Sequence, residues 1–336
     1  MNKKRVIVVC PGRGSYTRET KGYVSEFGGP AQEYIKWMDD QRVNDNCEPL
    51  TKLDSIPFRS KTHMTGENAS PLIYACSLSD FLSIDQTKYD IVSITGNSMG
   101  WYTALSLSGS ISLKNGYHLI QTMGSMMKEK LIGGQIIYPL LDENWELDAK
   151  INSLVLDEIK NAEAHISITL GGYLVIGGTQ RSLDILLKKL PKNDNYPLQL
   201  PFHAAFHTPL LSEVSKKALD LIDHTIFEKP KIPLIDGRGK VWSTISTDIE
   251  ELMDYTLRHQ VIETYDFTSS ITVAIKEYCP DLIILLGPGN SLGAPVGQIL
   301  TKNKWIGMNS KKDFIDLQAT DPFILSMGLK EQRVII

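Results

Sequence analysis

Apolar residues along the chain fall into two periods. Val6 to Val9 is a short continuous apolar run closed by Pro11-Gly12-Arg13-Gly14, and it predicts a strand buried on both faces. Ile91 to Ile94 and Leu282 to Leu286 read the same way, the second bounded by Pro280 and Gly287-Pro288-Gly289. Between them the period changes: Ser70 to Leu82 and Leu113 to Met127 carry apolar residues at helical spacing. Strands alternating with helices predict an α/β chain with a parallel, helix-covered sheet. The middle differs. Gln135–Pro139 reads as a strand, Trp145–Lys160 as a helix, His165–Thr169 and Tyr173–Ile176 as strands, Arg181–Leu190 as a helix and Tyr196–Leu200 as a strand. That β-α-β-β-α-β order predicts a ferredoxin-like subdomain over 131–200, inserted into a larger unit made of 1–130 and 201–336.

Composition narrows the partners. A chain of 336 residues with 42% hydrophobic and 22% charged residues has the makeup of a globular protein with a sizeable core. A formal net charge of −4 gives no reason to expect nucleic acid. No apolar run is long enough for a bilayer, so no membrane span is expected, and the first residues do not form a signal-peptide core. The four cysteines are scattered without a Cys-x-x-Cys pair, which fits reduced thiols in a cytoplasm. Cys10 reads as a buried strand-end thiol, and Asn68-Ala69-Ser70 matches a glycosylation acceptor that has meaning only on a secreted chain.

The strongest chemical signal is Gly96-Asn97-Ser98-Met99-Gly100, directly after the run ending at Ile94-Thr95 and before small, helix-compatible residues. Strand, Gly-x-Ser-x-Gly and helix in that order hold a serine on a sharp elbow with its hydroxyl exposed. The helix start favours developing negative charge beside it. Ser98 is the candidate nucleophile. Of seven histidines, His207 follows immediately after the inserted unit, at a junction where pockets form, and is the candidate base. His203 and His207 lack the adjacent glutamate of a His-Glu-x-x-His helix, and Pro209 interrupts any helix through them, so no metal is expected. Pro11-Gly12-Arg13-Gly14-Ser15 lacks the lysine of a Walker loop; its other use is to present a backbone N–H beside the nucleophile.

Taken in order, Pro11-Gly12-Arg13-Gly14-Ser15, Gly96-Asn97-Ser98-Met99-Gly100, Ala205-Phe206-His207-Thr208-Pro209-Leu210 and Gly287-Pro288-Gly289-Asn290 resemble the malonyl-CoA:acyl-carrier-protein transacylases and the acyltransferase domains of polyketide synthases. The resemblance covers nearly the whole chain. It implies an α/β-hydrolase-like core with the ferredoxin-like insertion, and ping-pong transfer between acyl-CoA and an acyl carrier protein in fatty-acid or polyketide synthesis. Ser98 is then the nucleophile, His207 the general base, and the backbone N–H groups of Arg13 and Met99 the oxyanion hole. Gln260 falls where the family keeps a glutamine near the histidine, and Asn97, Met123 and Phe206 border the acyl group. No cofactor is implied, because acyl-CoA and the phosphopantetheinyl carrier protein are substrates. The implied state is a cytoplasmic monomer.

Two positions depart from the family. Met123 stands where malonyl-specific members carry an arginine that grips the substrate carboxylate, and Asn97 stands where a histidine is usual. Lys128, five residues on, points to another helix face. A carboxylate against a thioether loses its partner, so a non-malonyl acyl group is expected. The alternatives are Arg13, where the family usually has glutamine, acting as a substitute clamp for malonyl, or an editing hydrolase that releases acyl groups to water. A further reading is a carrier-binding scaffold with a redundant serine. Arg13 is also a candidate contact for CoA phosphates. Lys188, Lys189, Lys192, Lys216, Lys217, Lys311 and Lys312 are candidate contacts for an acidic carrier.

Overall fold

The computed structural model describes residues 3–128 and 131–336. Eleven strands run in chain order: β1 Lys4–Cys10, β2 Tyr89–Gly96, β3 Gly134–Pro139, β4 His165–Leu170, β5 Tyr173–Gly178, β6 Leu198–Gln199, β7 Leu234–Ile235, β8 Val241–Trp242, β9 Tyr265–Asp266, β10 Leu282–Leu285 and β11 Ile324–Ser326. They form two sheets.

The first has the order β11-β10-β1-β2-β7-β8, with only the last pair antiparallel. Val6 to Cys10 are fully buried, as expected of a strand with helices on both faces. In register, Val9 faces Leu285 on one side and Thr95 on the other. The loops after β1, β2 and β10 therefore leave the sheet at one edge, and the segments beginning at Pro11, Asn97 and Gly287 converge there. This is the carboxyl edge of parallel strands, where open α/β sheets form crevices. The expected mixed α/β fold with a parallel sheet is present.

The second sheet has the order β6-β3-β5-β4-β9. Helices Ala149–Asn161 and Gln180–Lys189 follow β3 and β5, and they cover one face with a separate core that includes Ile136, Tyr138, Ile176, Leu183 and Leu186. Side chains alternate along a strand, so Ile137, Ile168 and Val175 pack on the other face, toward the first sheet.

Three predicted boundaries change. The helix expected from Trp145 starts at Ala149: Trp145 has φ +66°, Leu141 and Leu147 form a β-bridge, and Asp148 caps the helix by accepting from the amides of Lys150 and Ile151. The strand expected over Tyr196–Leu200 shortens to Leu198–Gln199, because Pro197 has no N–H to give. The helix expected to start at Ser70 starts at Gly66, and Pro71 is accepted inside its first turns. The strands not anticipated are β7, β8 and β11 in the first sheet and β9, which comes from beyond residue 200 and pairs parallel to β4.

Candidate active site

Ser98 sits in the turn between β2 and the helix Gly100–Leu107 with φ +56°, a left-handed backbone that L-residues rarely adopt. The two flanking glycines make this turn possible. A Cβ on Gly96 would lie 2.2 Å from the Gly100 carbonyl oxygen, and one on Gly100 would lie 2.3 Å from that of Cys10. The strained elbow lifts the hydroxyl off the sheet edge.

His207 meets it there, also with positive φ (+58°). Its Nε2 lies 2.7 Å from Ser98 Oγ. On the other side of the ring, Nδ1 is bonded to the backbone carbonyl of Gln260, and the His207 amide donates to the Val261 carbonyl at 2.9 Å. A carbonyl can only accept, so Nδ1 carries the proton and Nε2 is left to accept from the serine. The orienting group is thus a peptide carbonyl instead of a carboxylate. A π-helical stretch, Tyr255–His259, precedes Gln260; such a turn breaks the regular helical ladder and frees carbonyls for other partners. Burial pushes the His207 pKa down to about 4, opposed by the bond to Gln260.

Among the described residues, the amides of Arg13 and Met99 are not paired with a backbone carbonyl. The Arg13 side chain is half-buried and spans two loops: Nη2 donates to the carbonyls of Met64 and Phe202, both at 2.8 Å. The guanidinium carbon is 5.9 Å from the Phe206 ring centroid, and the buried Nε has no partner. Burial lowers its pKa to about 10.

Ser98 borders two cavities. The first is lined by Ser70, Tyr102, Ile120, Met123, Gln260 and Val261, together with Arg13, Phe206 and His207. Met123 is on its wall, on the helix Leu113–Ser125, and is almost fully buried. Gln260 is there too, its side-chain oxygen buried and unpaired. The second cavity lies between the sheets, against Gly12, Asn97, Ile137, Leu170, Leu200 and His203. Seven predicted residues (Arg13, Ser98, Met99, Met123, Phe206, His207 and Gln260) therefore meet at one place. Asn97 lines the second cavity and not the first, and Met123 the first and not the second.

Lys128 is ion-paired with Glu67 at 2.8 Å and lines a neighbouring cleft. Of the lysines considered for a carrier, Lys189, Lys216 and Lys312 are paired with Glu158, Glu213 and Asp316. No cluster of metal-ligating side chains is found among the described residues. Nor is any helix among them long and apolar enough to cross a membrane.

Sequence reasoning missed three contributors. Tyr265 on β9 donates to the Gly96 carbonyl at 2.5 Å, and its ring lies 5.3 Å from that of His207. Gln135 and Ser167, both buried in the second sheet, hold the loop before His207: Gln135 Nε2 donates to Ser167 Oγ at 2.7 Å, and Ser167 donates to the Phe206 carbonyl at 2.8 Å. A glutamine at the inward side of an apolar strand was the available signal for this network.

A serine on a glycine-flanked elbow, paired with a histidine at the edge of a parallel sheet, is the arrangement that Ser–His acyl-transfer sites use. Within that class the chain resembles the malonyl-CoA:acyl-carrier-protein transacylases and polyketide-synthase acyltransferases. It is 24% identical over 313 residues to the malonyl CoA-acyl carrier protein transacylase of Bacillus subtilis (strain 168), covering 91% of this chain and 93% of the relative. It is 26% identical over 187 residues to the non-reducing polyketide synthase nscA of Aspergillus fumigatus, which is 55% of this chain but only 10% of that longer protein. Among solved structures, the acyl-carrier-protein-S-malonyltransferase of Bartonella henselae superposes with a TM-score of 0.72 at 20% identity, over 99% of this chain and 98% of that one. A type II polyketide malonyl-transacylase in complex with its acyl-carrier protein superposes with a TM-score of 0.71 at 17% identity, over 89% and 94%. No family model matches the chain.

Proposed function

We propose that the protein is an acyl-CoA:acyl-carrier-protein S-acyltransferase working through an acyl-Ser98 intermediate. The observation that carries this reading is the 2.7 Å contact between Ser98 Oγ and His207 Nε2 on the glycine elbow. His207 takes the serine proton as Oγ attacks the thioester carbonyl. The oxyanion is received by the Arg13 and Met99 amides, each contributing about 3 kcal/mol to lowering the barrier. Collapse expels the CoA thiolate, which takes the proton from His207. The thiol of a phosphopantetheinyl carrier then loses its proton to His207 and attacks the acyl-serine; collapse returns that proton from His207 to Ser98 Oγ as the acyl group leaves on the carrier. No cofactor enters this scheme. Residues 131–200 are in it a ferredoxin-like subdomain inserted into the larger unit of 1–130 and 201–336, in a cytoplasmic monomer.

The transferred group is neutral in this reading. Met123, Ile120, Val261 and Phe206 give the cavity beside Ser98 a largely apolar wall. A malonyl carboxylate against Met123 would lack its ionic partner. A second reading has one observation in its favour: the Arg13 guanidinium borders the same cavity with its Nε unpaired. There it clamps a malonyl carboxylate.

The test is intact-mass measurement after incubation with malonyl-, acetyl- and longer acyl-CoAs, with Ser98→Ala as control. Adducts from neutral donors alone support the first reading. A malonyl adduct lost in Arg13→Gln supports the second. Loss of adduct to water faster than to a carrier thiol points to an editing hydrolase. Carrier binding with no adduct from any donor would sink the transfer chemistry and leave a scaffold.

A further inference from the structure

The cavity between the sheets does not end at the nucleophile. It has a volume of about 220 Å³ and holds Ser98 at one end. A second, outer cleft of about 580 Å³ is lined by Ile132, Thr179, Gln180, Gln199 and Pro201. Leu200 and His203 are the two residues lining both. Together they form the shared waist of the two cavities.

One wall of this waist is apolar and the other is an imidazole whose hydrogen bonding is fixed. Ser167 Oγ donates to the Phe206 carbonyl, so it must accept from Gln135 Nε2. Gln135 Oε1 then faces His203 Nδ1 at 2.9 Å as an acceptor, and Nδ1 carries the proton. Nε2 is left as a lone pair at the waist, with no partner among the described residues. Burial and the nearby Arg13 cation hold the ring well below its ordinary pKa, so it stays neutral at physiological pH. A neutral acceptor on a cavity wall can take an N–H donor from whatever lies in the cavity.

We propose that His203 Nε2 accepts a hydrogen bond from the amide N–H nearest the sulfur in the thioester's pantetheine arm. That amide is two methylenes from sulfur, and Ser98 and His203 line one cavity. His203 is thereby a binding residue for the arm of both the acyl donor and the carrier. The assignment rests on the transfer reading above.

The test uses two acyl donors with the same acyl group: the N-acetylcysteamine thioester, and its 2-acetoxyethanethiol counterpart, in which oxygen replaces the N–H. Acylation of Ser98 is followed by intact mass. The wild type should be acylated with a kcat/KM about fivefold higher by the amide-armed donor, the worth of one net hydrogen bond. In His203→Ala the ratio of the two rates should fall to about one, with a far-UV circular-dichroism spectrum that matches the wild type's as the check that the fold is intact. A wild type that does not distinguish the donors overturns the assignment without recourse to a variant. So does a His203→Ala protein that still does. Failure of both donors and of every acyl-CoA to acylate Ser98 overturns the transfer reading itself, and His203 with it.

Discussion

At the scale of single residues, His207 links burial to pH. Its pKa of about 4 keeps the imidazole neutral, as a base must be. The rate of Ser98 acylation should therefore be level from about pH 8 to about pH 5 and fall as pH drops through about 4, where a protonated Nε2 can no longer accept the serine proton. A midpoint near the ordinary histidine value, in a pH profile of burst acylation, would contradict this. Stability follows the same sign. An unfolded histidine takes up a proton near pH 6.5 that the folded ring refuses, so His207 destabilises the fold progressively as pH falls from about 6.5 to about 4. In His207→Gln the loss of Tm over that interval should be shallower. Met123 gives a second prediction. Met123→Arg places a guanidinium on the cavity wall, and malonyl-CoA should then yield an adduct on Ser98 while acetyl-CoA yields less, read by intact mass.

At the scale of elements, the cavity beside Ser98 and Met123 is shaped by how closely two helices approach. Gly66 opens the helix Gly66–Ser83, and Gly124 lies in the helix Leu113–Ser125 beside Met123. A Cβ on either would lie 2.4 Å from the other's carbonyl oxygen. Gly124→Ala must push the helices apart, and should cost about 2 kcal/mol in denaturant unfolding. It also moves the cavity wall, so the preference among acyl chain lengths should change with it. An unchanged midpoint would show that the two backbones have room to spare. The apolar periods of these helices were legible in the sequence because the core imposes them. The close glycine contact was not, since it depends on which helices meet. Nor was the π-helical turn at Tyr255–His259, where the pattern of apolar residues stays the same while the carbonyls are re-aimed. The Ser98 elbow was readable because its two glycines are required locally. The carbonyl that orients His207 carries no side-chain signature at all.

At the scale of the whole molecule, the site depends on two sheets held in register by few residues. The second sheet could be read from its strand order, but β9 could not: two residues carry no period, and their pairing with β4 is set by the fold around them. Yet β9 contributes Tyr265, which is buried and joins both sheets to the site. Its backbone pairs with Ile168, its hydroxyl holds the Gly96 carbonyl at the base of the elbow, and its ring lies against His207. Thr169 and Asp266 are also hydrogen-bonded across this junction. Tyr265→Phe keeps the ring and removes only the hydroxyl. With the Gly96 carbonyl deprived of this donor, unfolding free energy should fall by about 1–3 kcal/mol. The elbow loses one of its fixed points, so Ser98 acylation should slow while the midpoint of its pH profile stays where His207 sets it. If stability falls and the acylation rate does not, Tyr265 only ties the sheets together. If the rate falls as well, the inserted strands help to hold the nucleophile in place, and the second sheet is part of the catalytic apparatus instead of a cover over it.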